Sequence, residues 1–276
     1  MEKLKLDLVI IGDTGAGKTH FCYTAKNAYI IETDPKGMHT IIQQSGYMPN
    51  SEEFQKGEWK LPNGGYFVQA GSLDPAESIR VIEKHLRLFQ KNQIPKHMKF
   101  VLDGASFANK LWVLESNPSR NKDDGLPTLE APGKLRWVDW GEVRTRNMLL
   151  LFEIAYLDYD TIVTVLPDLR EDALNPGRDK EGNIINSRIY PLVDTRARFD
   201  FGAHFANVGL LENSGIRVLW FQHPKALVKC SNSEVRKVEQ PNYTKVMKSI
   251  YGHLYQAKKV ILQKEEEEAN ANQTTG

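Results

Sequence analysis

The chain has 276 residues, 41% of them hydrophobic and 26% charged, which supports one large α/β domain or one domain with appendages. Its net charge of +1 excludes a globally basic protein, though not a local basic groove for nucleic acid. The two cysteines, Cys22 and Cys230, have no second Cys or His at ligand spacing, which argues against a thiolate metal site and for buried thiols in a reducing compartment.

Leu6 and residues 8–11 form a short apolar run suited to a buried parallel strand. The run enters Gly12-Asp13-Thr14-Gly15-Ala16-Gly17-Lys18-Thr19, which satisfies the phosphate-loop pattern GxxxxGK[ST] in full. Its glycines let the backbone curl with N–H groups pointing at a phosphate. Lys18 is the point charge for the terminal phosphates, and the Thr19 hydroxyl is a Mg²⁺ ligand. A helix is expected from about Lys18, with His20 completing the nucleotide contacts. ATP with Mg²⁺ is the expected cofactor pair.

Residues 29–33 read as a second strand, ended by the turn cluster Asp34-Pro35-Lys36-Gly37. Residues 59–70 carry Pro62-Asn63-Gly64-Gly65 between apolar flanks, a hairpin or loop leading into a strand at 66–70. Asp74 as cap, Pro75 at the first helical position and Glu77 as the partner of a capping box announce a helix. Ile79, Ile82, Leu86 and Phe89 give it one buried face. Residues 99–103 are the next buried strand and 107–114 a helix. The polar stretch 115–136 reads as a long exposed loop. Helical periodicity resumes over 138–157, with Val143, Met148, Leu151, Ile154 and Ala155 apolar; Trp137 and Trp140, at i, i+3, are core anchors.

Residues 160–166 form another strand, and 170–188 a second polar stretch with turn signals at Asn175-Pro176-Gly177 and Glu181-Gly182-Asn183. Two apolar runs, 206–211 and 216–221, flank Glu212-Asn213-Ser214-Gly215 and make a hairpin. A terminal helix over 243–261 carries Val246, Ile250, Leu254 and Ala257 on one side. The acidic tail from about 263 to 276 is expected to be disordered. Strands alternating with helices imply a mostly parallel sheet covered on both faces, so the phosphate loop and the strand ends at Thr33, Asp103 and Leu166 should converge. The ATPase domain then spans 1–262. The first strand starts close to the N-terminus and no stretch approaches membrane-spanning length. The expectation is a soluble cytoplasmic protein (host cytoplasm for a viral source) with no membrane partner.

Asp103, closing the run Lys99-Phe100-Val101-Leu102, has the form of the aspartate that orders Mg²⁺ opposite Thr19. Many motor ATPases place a glutamate next to it; here Gly104 follows. A hydrolase still needs a carboxylate to polarise water. Asp34 and Glu32, after strand two, are the catalytic candidates beside Lys18, with Asp34 preferred because it lies closer to the strand end. Asn121-Lys122-Asp123-Asp124 matches a guanine-reading pattern but lies in a polar loop, and Asp-x-x-Gly fails at Asp103, so a GTPase is excluded. Arg170, Arg178 and Arg188, flanking one loop, keep open a small-molecule phosphotransferase with an arginine lid. A nucleotide-gated assembly or packaging factor is the remaining alternative.

Four stretches resemble the RecA-like ATPases, especially the short phage-type forms linked to single-strand annealing recombination. They are the phosphate loop at 12–19, the acidic end of strand two at 32–37, Phe100-Val101-Leu102-Asp103-Gly104-Ala105-Ser106, and the hairpin at 206–222. The resemblance implies a P-loop fold with a mostly parallel sheet, helices on both faces and a C-terminal antiparallel hairpin. It also implies a DNA-stimulated ATPase of recombination or annealing, with single-stranded DNA and a single-strand-binding protein as partners. In that family the catalytic carboxylate follows strand two, which maps onto Asp34. Two departures stand: the family usually has Glu there, and Pro167 and Asp168 follow strand 160–166 in place of a clear polar sensor. Rings or filaments with ATP at subunit junctions are implied too, the neighbour's basic residue being Lys225, Lys229, Arg196 or Arg198. DNA would meet the loops 115–136 and 170–188, the first carrying Arg120, Lys122, Lys134 and Arg136.

Overall fold

The computed structural model describes residues 5–34, 36–72, 74–115, 137–172, 176–192, 204–252 and 255, with side chains from 141 onward in the helix that begins at Trp137. A nine-stranded sheet forms the centre, in the order β11-β10-β9-β1-β6-β5-β2-β4-β3. Its strands are β1 (Asp7–Ile11), β2 (Ala28–Glu32), β3 (Glu58–Lys60), β4 (Tyr66–Gln69), β5 (Lys99–Asp103), β6 (Thr161–Val165), β9 (Asn207–Asn213), β10 (Arg217–Trp220) and β11 (Lys237–Glu239). The six strands from β9 to β4 run parallel, and antiparallel partners close both edges. A two-stranded ribbon, β7 (Pro167–Glu171) with β8 (Ser187–Pro191), stands apart from the sheet.

The central strands β2, β5 and β6 are buried at every residue, as a parallel sheet covered on both faces requires. Alternation divides their side chains between two cores. Val9 and Ile11 join α4 (Pro75–Gln90), α5 (Ala105–Glu115) and α6 (Trp137–Ala155) on one face. Leu8 and Ile10 join α1 (Lys18–Tyr23), α2 (Gly37–Ser45) and α7 (Tyr243–Tyr251) on the other. α4 buries Ile79, Ile82, Leu86 and Phe89, the stripe read from its spacing. Val143, Leu151, Ile154 and Ala155 of α6 are buried in the same way.

Several expectations need correction. The capping box of α4 does not form: the Asp74 carboxylate accepts from the Ala76 amide at 2.9 Å, and the Asp74 amide donates to Ser72 Oγ at 3.1 Å, so Glu77 stands only as the acidic residue of the first turn. Residues 37–56, which carry no expected element, form two helices, α2 and α3 (Ser51–Lys56). The polar stretch 170–188 is not all loop, because its ends belong to β7 and β8. A third antiparallel strand, β11, extends the C-terminal hairpin. The terminal helix is described over Tyr243–Tyr251, Gly252 turns with a φ of 54°, Tyr255 is again helical, and the rest of 243–261 lies outside the described residues. Cys22 is buried and Cys230 only half-buried. The loop at 116–136, Arg120, Lys122, Lys134, Arg136, Arg196, Arg198, Leu254, Ala257, the acidic tail and the side chains of Trp137 and Trp140 lie outside the described residues. Among the described residues, no helix is long and apolar enough to cross a membrane.

Candidate active site

The carboxyl ends of β1, β2, β5, β6 and β9 meet on one edge of the sheet because parallel pairing aligns them. Ile11 stands opposite Val165 and Leu210, and Glu32 opposite Asp103. A cavity of about 400 Å³ opens there. Thr14, Gly15, Gly17, Lys18, Thr19 and His20 line it from the loop, and Glu32, Asp34, Asp103 and Thr164 from the strands and the turn after β2. Gly12, Asp13 and Ala16, also expected at the nucleotide, do not line it. They shape the loop instead: the Gly12 amide donates to Val165 O at 3.1 Å and the Ala16 amide to Asp13 O at 3.1 Å.

The loop presents free donors to the cavity. The amides of Thr14, Gly15 and Gly17 have no acceptor among the described residues, and successive amides of that kind form a concave nest for negative charge. Lys18 Nζ donates to Gly12 O at 2.7 Å and Asp13 O at 2.9 Å, which holds the ammonium at the loop's centre. Burial pushes the Lys18 pKa down, and the nearby Asp103 opposes that shift.

Asp103 is buried, and its two oxygens differ. Thr164 Oγ1 donates to Oδ1, while Oδ2 has no partner. On the neighbouring strand, Glu32 Oε1 accepts from the Asp34 amide at 2.8 Å and Oε2 has no partner. Burial first, then the Asp103 carboxylate, raises the Glu32 pKa well above the usual carboxylate range. Glu32 Oε2 is packed against Gly37, and its raised pKa favours the neutral carboxyl beside Asp103, which leaves Asp103 Oδ2 and the Thr19 hydroxyl, both of cavity-lining residues, as the oxygens that suit a hard divalent cation. Among the described residues there is no cluster of three or more His, Cys, Asp or Glu side chains to hold a metal alone. Phosphate oxygens and water would have to complete the shell around Thr19 and Asp103.

Asp34 lies half-buried at the rim. Its Oδ1 accepts from the Lys36 amide at 2.9 Å, which closes the turn, and its Oδ2 has no bond among the described residues. Glu32 thus holds the backbone of Asp34 in place. Position 104 explains why no acid follows Asp103. Gly104 has a φ of 99°, and a Cβ there would stand 2.5 Å from Thr33 Oγ1. That hydroxyl donates to Gly104 O at 2.6 Å, and the Gly104 amide donates to Thr164 Oγ1 at 2.9 Å. Gly104→Ala should therefore destabilise the fold by about 1–3 kcal/mol through backbone strain, read as a lower thermal midpoint in calorimetry.

Thr164 was not singled out from the sequence, where it reads as one more β-branched residue of a buried strand. Arg217 was not singled out either, yet it lines the cavity from the start of β10. Lys225 and Lys229, the described candidates for a donated cation, do not line it. The Lys225 carbonyl accepts from the Ile189 amide at 2.6 Å, and the Lys229 backbone bridges to Val208, so both stand beside β8 and β9. The three lid arginines are each paired with a carboxylate: Arg170 with Asp168, Arg178 with Glu171 and Arg188 with Asp172. Comparison with protein-family models and with curated proteins finds no match.

Proposed function

We propose that this chain is a Mg²⁺-dependent nucleoside-triphosphate hydrolase of the RecA-like kind, acting on ATP and coupled to single-stranded DNA. One observation carries the reading. Unpartnered loop amides, Lys18, Thr19 and Asp103, whose Oδ2 has no partner, all belong to the lining of a single cavity. The loop amides and Lys18 would hold the β- and γ-phosphates, and Thr19 with Asp103 would hold Mg²⁺. The cation, when bound, neutralises charge developing on the phosphate oxygens. Asp34 Oδ2 accepts a proton from water as the water oxygen bonds to the γ-phosphorus and the β–γ bridging bond breaks. Glu32 positions Asp34 through the 2.8 Å bond to its amide.

The pairing of Arg170, Arg178 and Arg188 with carboxylates disfavours a phosphotransferase lid. Single-stranded DNA and self-assembly into a ring or filament belong to the proposal on the strength of the resemblance at the phosphate loop, the acidic end of β2, β5 and the β9–β10 hairpin. The test measures phosphate release from ATP with and without single-stranded DNA, with EDTA as control and solution mass recorded in ATP. The expected result is turnover that EDTA abolishes and DNA raises. Turnover indifferent to DNA, with no DNA binding at low salt, rejects the DNA-coupled part. Absence of ATP binding rejects the whole.

A further inference from the structure

We propose that Arg217 is a second phosphate-binding cation of this site, supplied by the same chain that carries the loop; this rests on the nucleotide-binding reading above. Arg217 opens β10, opposite Asn213 of β9, and both residues line the cavity. Its backbone is held from both sides, by the antiparallel register with β9 and by the Gln240 amide, which donates to Arg217 O at 2.7 Å. The side chain then reaches across the loop. Its Cδ and Nη1 stand 3.0 and 3.1 Å from where a Cβ on Gly17 would be. Glycine at 17 is needed twice over, for its φ of 97° and for this approach.

The guanidinium has no carboxylate and no hydrogen-bond acceptor among the described residues. Arg144 and Arg236 also lack an acid partner among the described residues, but Arg217 is the arginine among those lining the cavity. A half-buried guanidinium keeps five N–H donors in a fixed fork, the geometry that grips phosphate oxygens in pairs. Lys18 opens into the same cavity. The two cations therefore offer the ligand a point charge and a fork within one chain. A polyphosphate is the ligand chemistry that uses both. Charge neutralisation of the bound phosphates then does not depend wholly on a neighbouring subunit.

The test uses the full chain and titration calorimetry, with Mg²⁺·ATP and Mg²⁺·tripolyphosphate as probes. Arg217→Ala should weaken both by about 10- to 150-fold, the loss of a hydrogen bond to a charged group. Arg217→Lys should recover part of that loss, because it restores the charge without the fork. Arg217→Gln, closer in shape, serves if Arg217→Ala melts early. Wild-type affinity for both probes in a folded Arg217 variant overturns the proposal while leaving the site intact. Weaker ATP binding with unchanged tripolyphosphate binding also overturns it, in favour of a contact to base or ribose. If the wild-type chain binds neither probe, the nucleotide-binding reading itself fails.

Discussion

Lys18→Ala is expected to bind Mg²⁺·ATP about 10- to 150-fold more weakly than the wild-type chain, the range for losing a hydrogen bond to a charged group. The ammonium sits at the loop's centre, donating to Gly12 O and Asp13 O, and it opens into the cavity. The Asp13 carbonyl is exposed, so water replaces the donor there, whereas the buried Gly12 loses its partner, and thermal melting of the variant checks that the fold survives. The substitution also makes a pH signature. Burial lowers the Lys18 pKa in the free chain, whereas a bound phosphate anion raises it again. Binding is then fully supported below the free-chain pKa and weakens as pH rises through and above it. Wild-type affinity should fall on the alkaline side, and Lys18→Ala should lack that fall. Calorimetric titrations across the alkaline range check both points. An unchanged dissociation constant in a folded Lys18→Ala chain would remove Lys18 from the phosphate site.

The parts of this architecture that the sequence makes legible are those with a strong local signal. A full GxxxxGK[ST] match after an apolar run locates β1, the loop and α1. Buried strands β2, β5 and β6 read as apolar runs because both of their faces are covered. Elements with weaker hydrophobic pattern were passed over. α3 buries no residue, so its only marks are the Asn50–Glu53 capping box and the closing Gly57. β7 has no buried residue either, because its ribbon stands off the sheet. Thr164 and Arg217 were hidden for a different reason. Thr164 matters because β6 lies between β1 and β5, and strand order is not written in sequence order. The hairpin that carries Arg217 is legible, but not the direction of one side chain at its turn. Asp34 and Glu32 are candidates from their place after strand two and from the resemblance, and only burial and hydrogen bonds separate the rim carboxylate from the buried support.

That separation makes Asp34→Asn the sharpest test of chemistry at the site. Replacing a general base costs about 10²- to 10⁴-fold in rate. Asparagine keeps an oxygen for the Lys36 amide, so the turn at 34–37 can persist. What is lost is the second carboxylate oxygen, Oδ2, which has no partner among the described residues and is the atom available to take a proton from water. The rate of ATP hydrolysis should fall in that range while Mg²⁺·ATP affinity stays within a few-fold of wild type, since Lys18, Thr19 and Asp103 are untouched. Single-turnover hydrolysis, with binding measured separately, divides the two effects. Glu32→Gln supplies the contrast. Its side-chain oxygen still accepts from the Asp34 amide, and its buried position, with the pKa raised by burial and by Asp103, already favours a neutral group. Glu32→Gln should therefore retain more activity than Asp34→Asn. The reverse order, with binding intact in both, would move the proton-accepting role from the rim to the carboxyl paired with Asp103.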